Sequence, residues 1–148
     1  SYYREDTDKI LVFQTIATAL YCVHYYLLGA YSGLFICVFE TIRDYLYYKT
    51  TWDDYIFYGS IPIYIIIAVL NFTGIMSVLP SLASLIDGFS LANKKVIVVI
   101  GGIASYTVWL IYDIYVGSIS GALTDFILII SNIFVLLLFH RQWIVKFL

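Results

Sequence analysis

Long apolar runs, broken by short polar or glycine-containing stretches, fill almost the whole chain. Six of them approach the ~20 apolar residues a helix needs to cross the hydrocarbon core of a bilayer. They cover roughly Ile10–Leu28, Ser32–Tyr48, Tyr55–Phe72, Gly74–Leu91, Val96–Val116 and Ile119–Phe139. The connections are Gly29–Tyr31, Lys49–Asp54, Thr73, Ala92–Lys95 and Gly117–Ser118, too short to hold a soluble domain. Glycine falls at the turns, as a breaker should. Pro80, inside the fourth run, predicts a kink because it frees a backbone carbonyl. The opening Ser1–Lys9 is polar and mixed in charge. It reads as a loop rather than a signal peptide, since it has no apolar stretch next to a cleavage site.

Composition agrees with the pattern. The chain is 62% hydrophobic, 19% aromatic and 12% charged, whereas a soluble domain is about half apolar and about a quarter charged. An all-α polytopic membrane protein follows, with the lipid bilayer as its first partner. The net charge of −2 says little, but the placement of charge says more. Arg4, Lys9, Arg43, Lys49, Lys94, Lys95, Arg141 and Lys146 are all the basic residues, and all fall on one side if six helices alternate. The positive-inside rule then puts that side, and the C-terminus, in the cytoplasm. No basic patch argues for nucleic acid.

The turns repeat. Gly29–Gly33 reads G-A-Y-S-G and Gly117–Gly121 reads G-S-I-S-G. The offset of 88 residues aligns Tyr21 with Trp109, His24 with Tyr112 and Cys37 with Asp125. Both turns join an outgoing helix to a returning one, so the units are parallel repeats related by an axis along the membrane normal. Residues 10–48 would be helices two and three of a first repeat, 55–72 a linker helix, and 74–139 a complete second three-helix repeat. The plan is three-plus-one-plus-three, with the first helix missing from this stretch of sequence. All of residues 1–148 form one transmembrane domain.

Polar groups within hydrocarbon are costly and usually face a bundle interior or cavity. Asp125, one turn beyond Gly121, is the leading candidate for holding a substrate or a proton; an interfacial carboxylate in contact with water is the plainer alternative. His24 can donate, accept and titrate, or simply satisfy helix packing. Trp109 and Tyr112, in W-L-I-Y-D, offer flat rings to a planar solute, or belong to an interfacial aromatic belt. Asp113 is read as reachable by solvent. Asn132 lies seven residues from Asp125, on the same helix face. These considerations predict that His24, Trp109, Tyr112, Asp125 and Asn132 bind substrate, the first four converging on one cavity. Glu40 and Arg43 share a face at i, i+3 and are expected to form a structural or gating ion pair. Asp87 is read as a solvated end and Asn71 as a cap. Cys22 and Cys37 have no metal or redox spacing and are read as small apolar filler.

No enzyme signature is present: there is no G-x-S-x-G, no H-E-x-x-H and no phosphate loop. His24 and His140 fall on opposite sides, which argues against a shared metal site. No catalytic role, cofactor or metal is therefore expected.

Several short motifs occur in order: H-Y-Y-L-L-G (His24–Gly29), E-T-I-R (Glu40–Arg43), V-L-P-S (Val78–Ser81), G-S-I-S-G (Gly117–Gly121) and S-N-I (Ser131–Ile133). Together they resemble the YgjV-type bacterial inner-membrane proteins over nearly the whole chain. Members of that family carry Asn-x-x-Arg where this chain has Glu40–Arg43. A wider resemblance is to PQ-loop and SWEET-type transporters, in the stretch Trp109–Tyr112, in Pro80, and in Asp125, where those proteins carry a cavity asparagine. That resemblance implies a central cavity and alternating access. The expected function is therefore transport of a small polar solute, a sugar or other metabolite, across the bacterial inner membrane, with a homo-oligomer open. The alternative is a non-transporting partner subunit or sensor. A polar cavity lined by both the first and the fifth span is what separates the two.

Overall fold

The computed structural model describes the backbone at residues 2–50, 52–92 and 95–147, and side chains at 12–13, 15–50, 52–92 and 97–138. The helices are α1 (Tyr2–Leu28), α2 (Tyr31–Lys49), α3 (Asp53–Leu70), a 3-10 turn (Ile75–Val78), α4 (Leu79–Leu91), α5 (Lys95–Val116) and α6 (Ile119–Phe147). No strand occurs among the described residues. Lys94 lies outside them, as do the side chains of Arg4, Lys9, Lys95, Arg141 and Lys146, so the one-sided charge expectation falls largely outside what is described.

Polarity is inverted relative to a soluble protein. Large apolar side chains face outward: Phe13, Leu20, Leu27, Val69, Leu70 and Ile119 are all more than 60% exposed. Serines and charges are inside, with Arg43, Asp44, Ser84, Ser105 and Asp113 fully buried. An exterior of this kind suits lipid, which needs no polar cover. Where six crossings are expected, α3, Ile97–Val116 and Ile119–Leu138 are long and apolar enough to cross a membrane, and Thr15–Leu28 and Ile75–Leu91 are shorter apolar helices. Helix α2 carries Glu40, Arg43, Asp44 and Lys49, and three of these are buried within the bundle rather than turned outward.

Three boundaries differ from expectation. The polar Tyr2–Lys9 stretch is helical and belongs to α1. It lacks glycine and proline, and its Glu5 and Lys9 stand at i, i+4, a spacing that supports a helix. Helix α6 likewise continues past Phe139 to Phe147. The expected kink at Pro80 is instead a junction: the 3-10 turn ends at Val78, α4 begins at Leu79, and Pro80 sits in its first turn. A proline is tolerated there because that N–H would lack an intrahelical partner anyway.

Two hairpins, α1–α2 and α5–α6, make the most extensive helix pairings, with α4 packed on α5 and α3 beside α4 and α2. Small residues on α4 allow close approach: Ala83 is fully buried, and Ser105 Oγ of α5 donates to its carbonyl at 2.9 Å. The hairpin turns are built alike. Gly29 and Gly117 have φ of +69° and +78°, the left-handed region that favours glycine. Ala30 N–H donates to Tyr25 O at 3.0 Å, and Ser118 N–H to Asp113 O at 2.8 Å. Leu34 N–H reaches Ala30 O at 3.0 Å, and Ala122 N–H reaches Ser118 O at 2.9 Å. In both of these pairs of bonds, each donor and acceptor of the second turn is that of the first plus 88.

Candidate functional site

At the glycine-turn end the two hairpins grip one another reciprocally. Tyr112 Oη of α5 lies 2.8 Å from Ser32 Oγ and accepts the Gly33 N–H at 3.0 Å. His24 Nε2 of α1 lies 2.8 Å from Ser118 Oγ and 3.4 Å from Ser120 Oγ. His24 plus 88 is Tyr112, and Ser32 plus 88 is Ser120, so each hairpin reaches into the other's turn. Between these contacts Tyr25 Oη donates to Asp113 Oδ1 at 2.6 Å, and 25 plus 88 is 113. Asp113, expected to meet solvent, is therefore buried against the first hairpin. A side chain at Gly33 would meet the Tyr112 ring at 2.9 Å, and one at Gly121 would collide with the Asp113 carboxylate and the Ser118 hydroxyl. The two glycines permit this close approach.

Below the grip lies a cavity of about 120 Å³. It is lined by Ala17, Thr18, Tyr21 and Tyr25 of α1, Cys37 and Glu40 of α2, Asp87 of α4, Ser105, Tyr106, Trp109 and Asp113 of α5, and Asp125 and Leu128 of α6. Apart from Asp87, these residues fall into pairs at the 88-residue offset: Ala17 with Ser105, Thr18 with Tyr106, Tyr21 with Trp109, Tyr25 with Asp113, Cys37 with Asp125, and Glu40 with Leu128. The cavity thus sits between equivalent faces of the hairpins, and α1 and α5 both line it. One wall is aromatic. Tyr25 stacks with Tyr21, with ring centroids 5.9 Å apart and planes at 29°, and with Trp109, at 5.8 Å and 18°.

Of the residues expected to bind substrate, Trp109 and Asp125 line this cavity. His24 and Tyr112 do not; both are used in the reciprocal grip, and the expected convergence of four side chains reduces to two. Asn132 turns its amide back to Leu128 O at 3.0 Å on its own helix and is absent from the lining. Helix spacing placed it on the Asp125 face but could not show that the cavity stops at Leu128. Tyr21, Tyr25, Tyr106, Asp113 and Glu40 are lining residues that sequence reasoning left out of the binding set. Applying the 88-residue offset to every polar position would have found Tyr25 and Asp113.

The expected Glu40–Arg43 pair is replaced by a wider arrangement. Arg43 donates through Nε and Nη2 to Asp44 Oδ1 at 3.0 and 2.8 Å, and through Nη2 to Asp87 Oδ2 at 2.6 Å. Its Nη1 donates to Tyr64 Oη at 2.9 Å and to Ser84 O at 3.1 Å. Those contacts use all five guanidinium donors, and they tie α2 to α3 and α4. Glu40 instead accepts from the Ser84 hydroxyl. Arg43 thus bonds its neighbour Asp44 and reaches α3 and α4, partners that the i, i+3 spacing does not convey. Asp87, expected at a solvated end, is 15% exposed and paired with Arg43. Asn71 does cap its helix: it follows Leu70, and its amide donates to Ile67 O at 3.0 Å. Cys37 is buried in the apolar core, and Cys22 Sγ lies 3.9 Å from Thr41 Oγ1. No group of three His, Cys, Asp or Glu able to hold a metal occurs among the described residues.

No curated protein and no solved structure matches the chain. A family model does, over residues 1–142, nearly the whole length. That family is Imp-YgjV, described as a bacterial inner membrane protein. With its outward apolar surface and polar interior, this chain belongs to the Imp-YgjV family of bacterial inner membrane proteins.

Proposed function

We propose that the chain is a non-enzymatic transporter that moves a small polar solute by alternating access between two parallel, SWEET-like repeats. Helices α1 and α2 would belong to the first repeat, α3 is the linker and α4 to α6 make the second repeat, so these residues supply six crossings of a three-plus-one-plus-three plan, with a cytoplasmic C-terminus. The observation that carries the proposal is the cavity: its lining pairs at the 88-residue offset across the two hairpins, and it buries carboxylates and hydroxyls at the interface. Parallel repeats place transport sites at such an interface. The reciprocal grip closes one end of it. At the other end the Arg43 cluster holds α2 against α3 and α4. Its volume of about 120 Å³ is below the ~300–1,000 Å³ of ordinary small-molecule sites, which favours a solute of few atoms.

The test is uptake by the purified chain in liposomes against a metabolite mixture, resolved by mass spectrometry. Accumulation of a solute above protein-free liposomes is expected. A folded, correctly inserted protein that takes up nothing would leave the partner-subunit or sensor alternative. Topology has its own check. Cysteines at Ser32 and Ser120 should both label from outside intact cells, and labelling of one alone would break the parallel repeat.

A further inference from the structure

Four carboxylates border the cavity, and three have donors. Glu40 accepts from Ser84, Asp87 from Arg43 and Asp113 from Tyr25. Asp125 is different. Its residue is 8% exposed, it lines the cavity, and its Oδ2 has no hydrogen-bond partner among the described residues. A buried acceptor without a donor is costly, and a ligand bearing N–H groups removes that cost. The lining contains no lysine, arginine or histidine. Arg43 has every N–H engaged with Asp44, Asp87, Tyr64 or Ser84, and none with Asp125. Asp125 therefore offers the cavity an open acceptor that no cationic side chain of the lining meets.

The surroundings choose among cations. A metal ion would need a shell of several oxygens, and no metal-holding group occurs among the described residues. The wall formed by Tyr21, Tyr25 and Trp109 suits an alkyl chain and a cationic head, which aromatic rings attract. A quaternary ammonium has no N–H to give Asp125, whereas a primary ammonium has three. The volume of about 120 Å³ admits only a few heavy atoms.

We propose that the cavity binds a small primary alkylammonium ion, with its ammonium donating to Asp125 Oδ2 and its alkyl part against Tyr21 and Trp109. As cargo, this ion rests on the transport function proposed above; as a ligand, it does not.

The test is binding of radiolabelled ethylammonium to the purified full chain in nanodiscs at neutral pH. Saturable binding is expected, displaced by propylammonium but not by equimolar potassium, tetramethylammonium or ethanol. Asp125→Asn should weaken it at least tenfold, and Asp125→Glu should restore part of the loss. Absence of saturable binding to folded wild-type protein overturns the proposal. So does displacement by potassium equal to that by propylammonium, or binding unaltered in Asp125→Asn. Should the Asn variant not fold, the displacement series on the wild-type chain decides alone. Binding without uptake in liposomes would sink the transport function and leave the site standing; uptake of a neutral or anionic solute without ammonium binding would do the reverse.

Discussion

The two hairpins share a backbone plan and differ in where they carry charge. At the glycine turns they are equivalent, down to matching hydrogen bonds and a matching positive φ. In the cavity the matched positions diverge: Asp113 faces Tyr25, Asp125 answers Cys37, and Glu40 answers Leu128. The second hairpin is acidic near the grip, and the first is acidic one or two turns further down. Toward the far end the contrast is greatest. Arg43 is fully buried and fully hydrogen-bonded, while its counterpart 88 residues on, Ser131, is exposed on α6. The two hairpins thus match where they fit each other, and differ where one helix is fastened to its neighbours. Helix α2 is clamped to α3 and α4, and α6 has no equivalent clamp among the described residues.

Substitutions at matched positions can break or sharpen this contrast. The largest difference is expected between Arg43→Ala and Ser131→Ala. Removing the guanidinium strands Asp44 and Asp87 in the interior, a loss of about 3–5 kcal/mol by the usual cost of breaking a buried pair. The exposed serine should cost within about 0.5 kcal/mol. Reversible unfolding in mixed micelles measures both, and equal effects would deny the asymmetry.

Next come the close-approach glycines. Gly121→Ala drives a methyl group into the Asp113 carboxylate and should cost about 1–3 kcal/mol, as overpacking does. Gly33→Ala meets the Tyr112 ring, which can shift, and should cost less than Gly121→Ala in the same unfolding assay.

The grip itself gives a smaller split. Tyr112→Phe leaves the buried Gly33 N–H without its acceptor, worth about 1–3 kcal/mol. His24→Phe loses a bond to Ser118, whose hydroxyl still receives the Gly121 N–H at 3.2 Å; about 0.5–1.5 kcal/mol is expected. A larger effect for His24 would reverse the order of the two contacts. Smallest of all is the difference between Gly29→Ala and Gly117→Ala. Each forces alanine into left-handed backbone at about 1–2 kcal/mol, and the two costs should agree to within about 0.5 kcal/mol because the turns are alike.

Much of the fold was legible because lipid imposes long apolar runs and glycine marks where they end. The bounds of α2, α5 and the start of α6 were read to within a residue or so. The helical Tyr2–Lys9 stretch was not, because polarity argued for a loop while the i, i+4 charges argued for a helix. Nor was the 3-10 turn before Pro80, since a proline marks a break without saying whether the helix bends or begins there. In the site, Trp109 and Asp125 were found because each is unusual for its depth. His24 and Tyr112 are equally unusual, and their chemistry is used between the hairpins instead. The partners of Arg43 stayed hidden because Asp87 and Tyr64 meet it only after α3 and α4 fold back, and spacing along one helix carries no record of that.

Ser105 offers the most direct view of the cavity, since it is 1% exposed and lies at the interface of the hairpins. A Ser105→Cys chain with Cys22→Ala and Cys37→Ala, reconstituted in one orientation, can be probed with a membrane-impermeant thiol reagent from each face in turn. Alternating access predicts labelling from both faces, slowed at least severalfold by saturating transported solute. Labelling from neither face, or from one face alone and indifferent to solute, would contradict a transport path between the two hairpins.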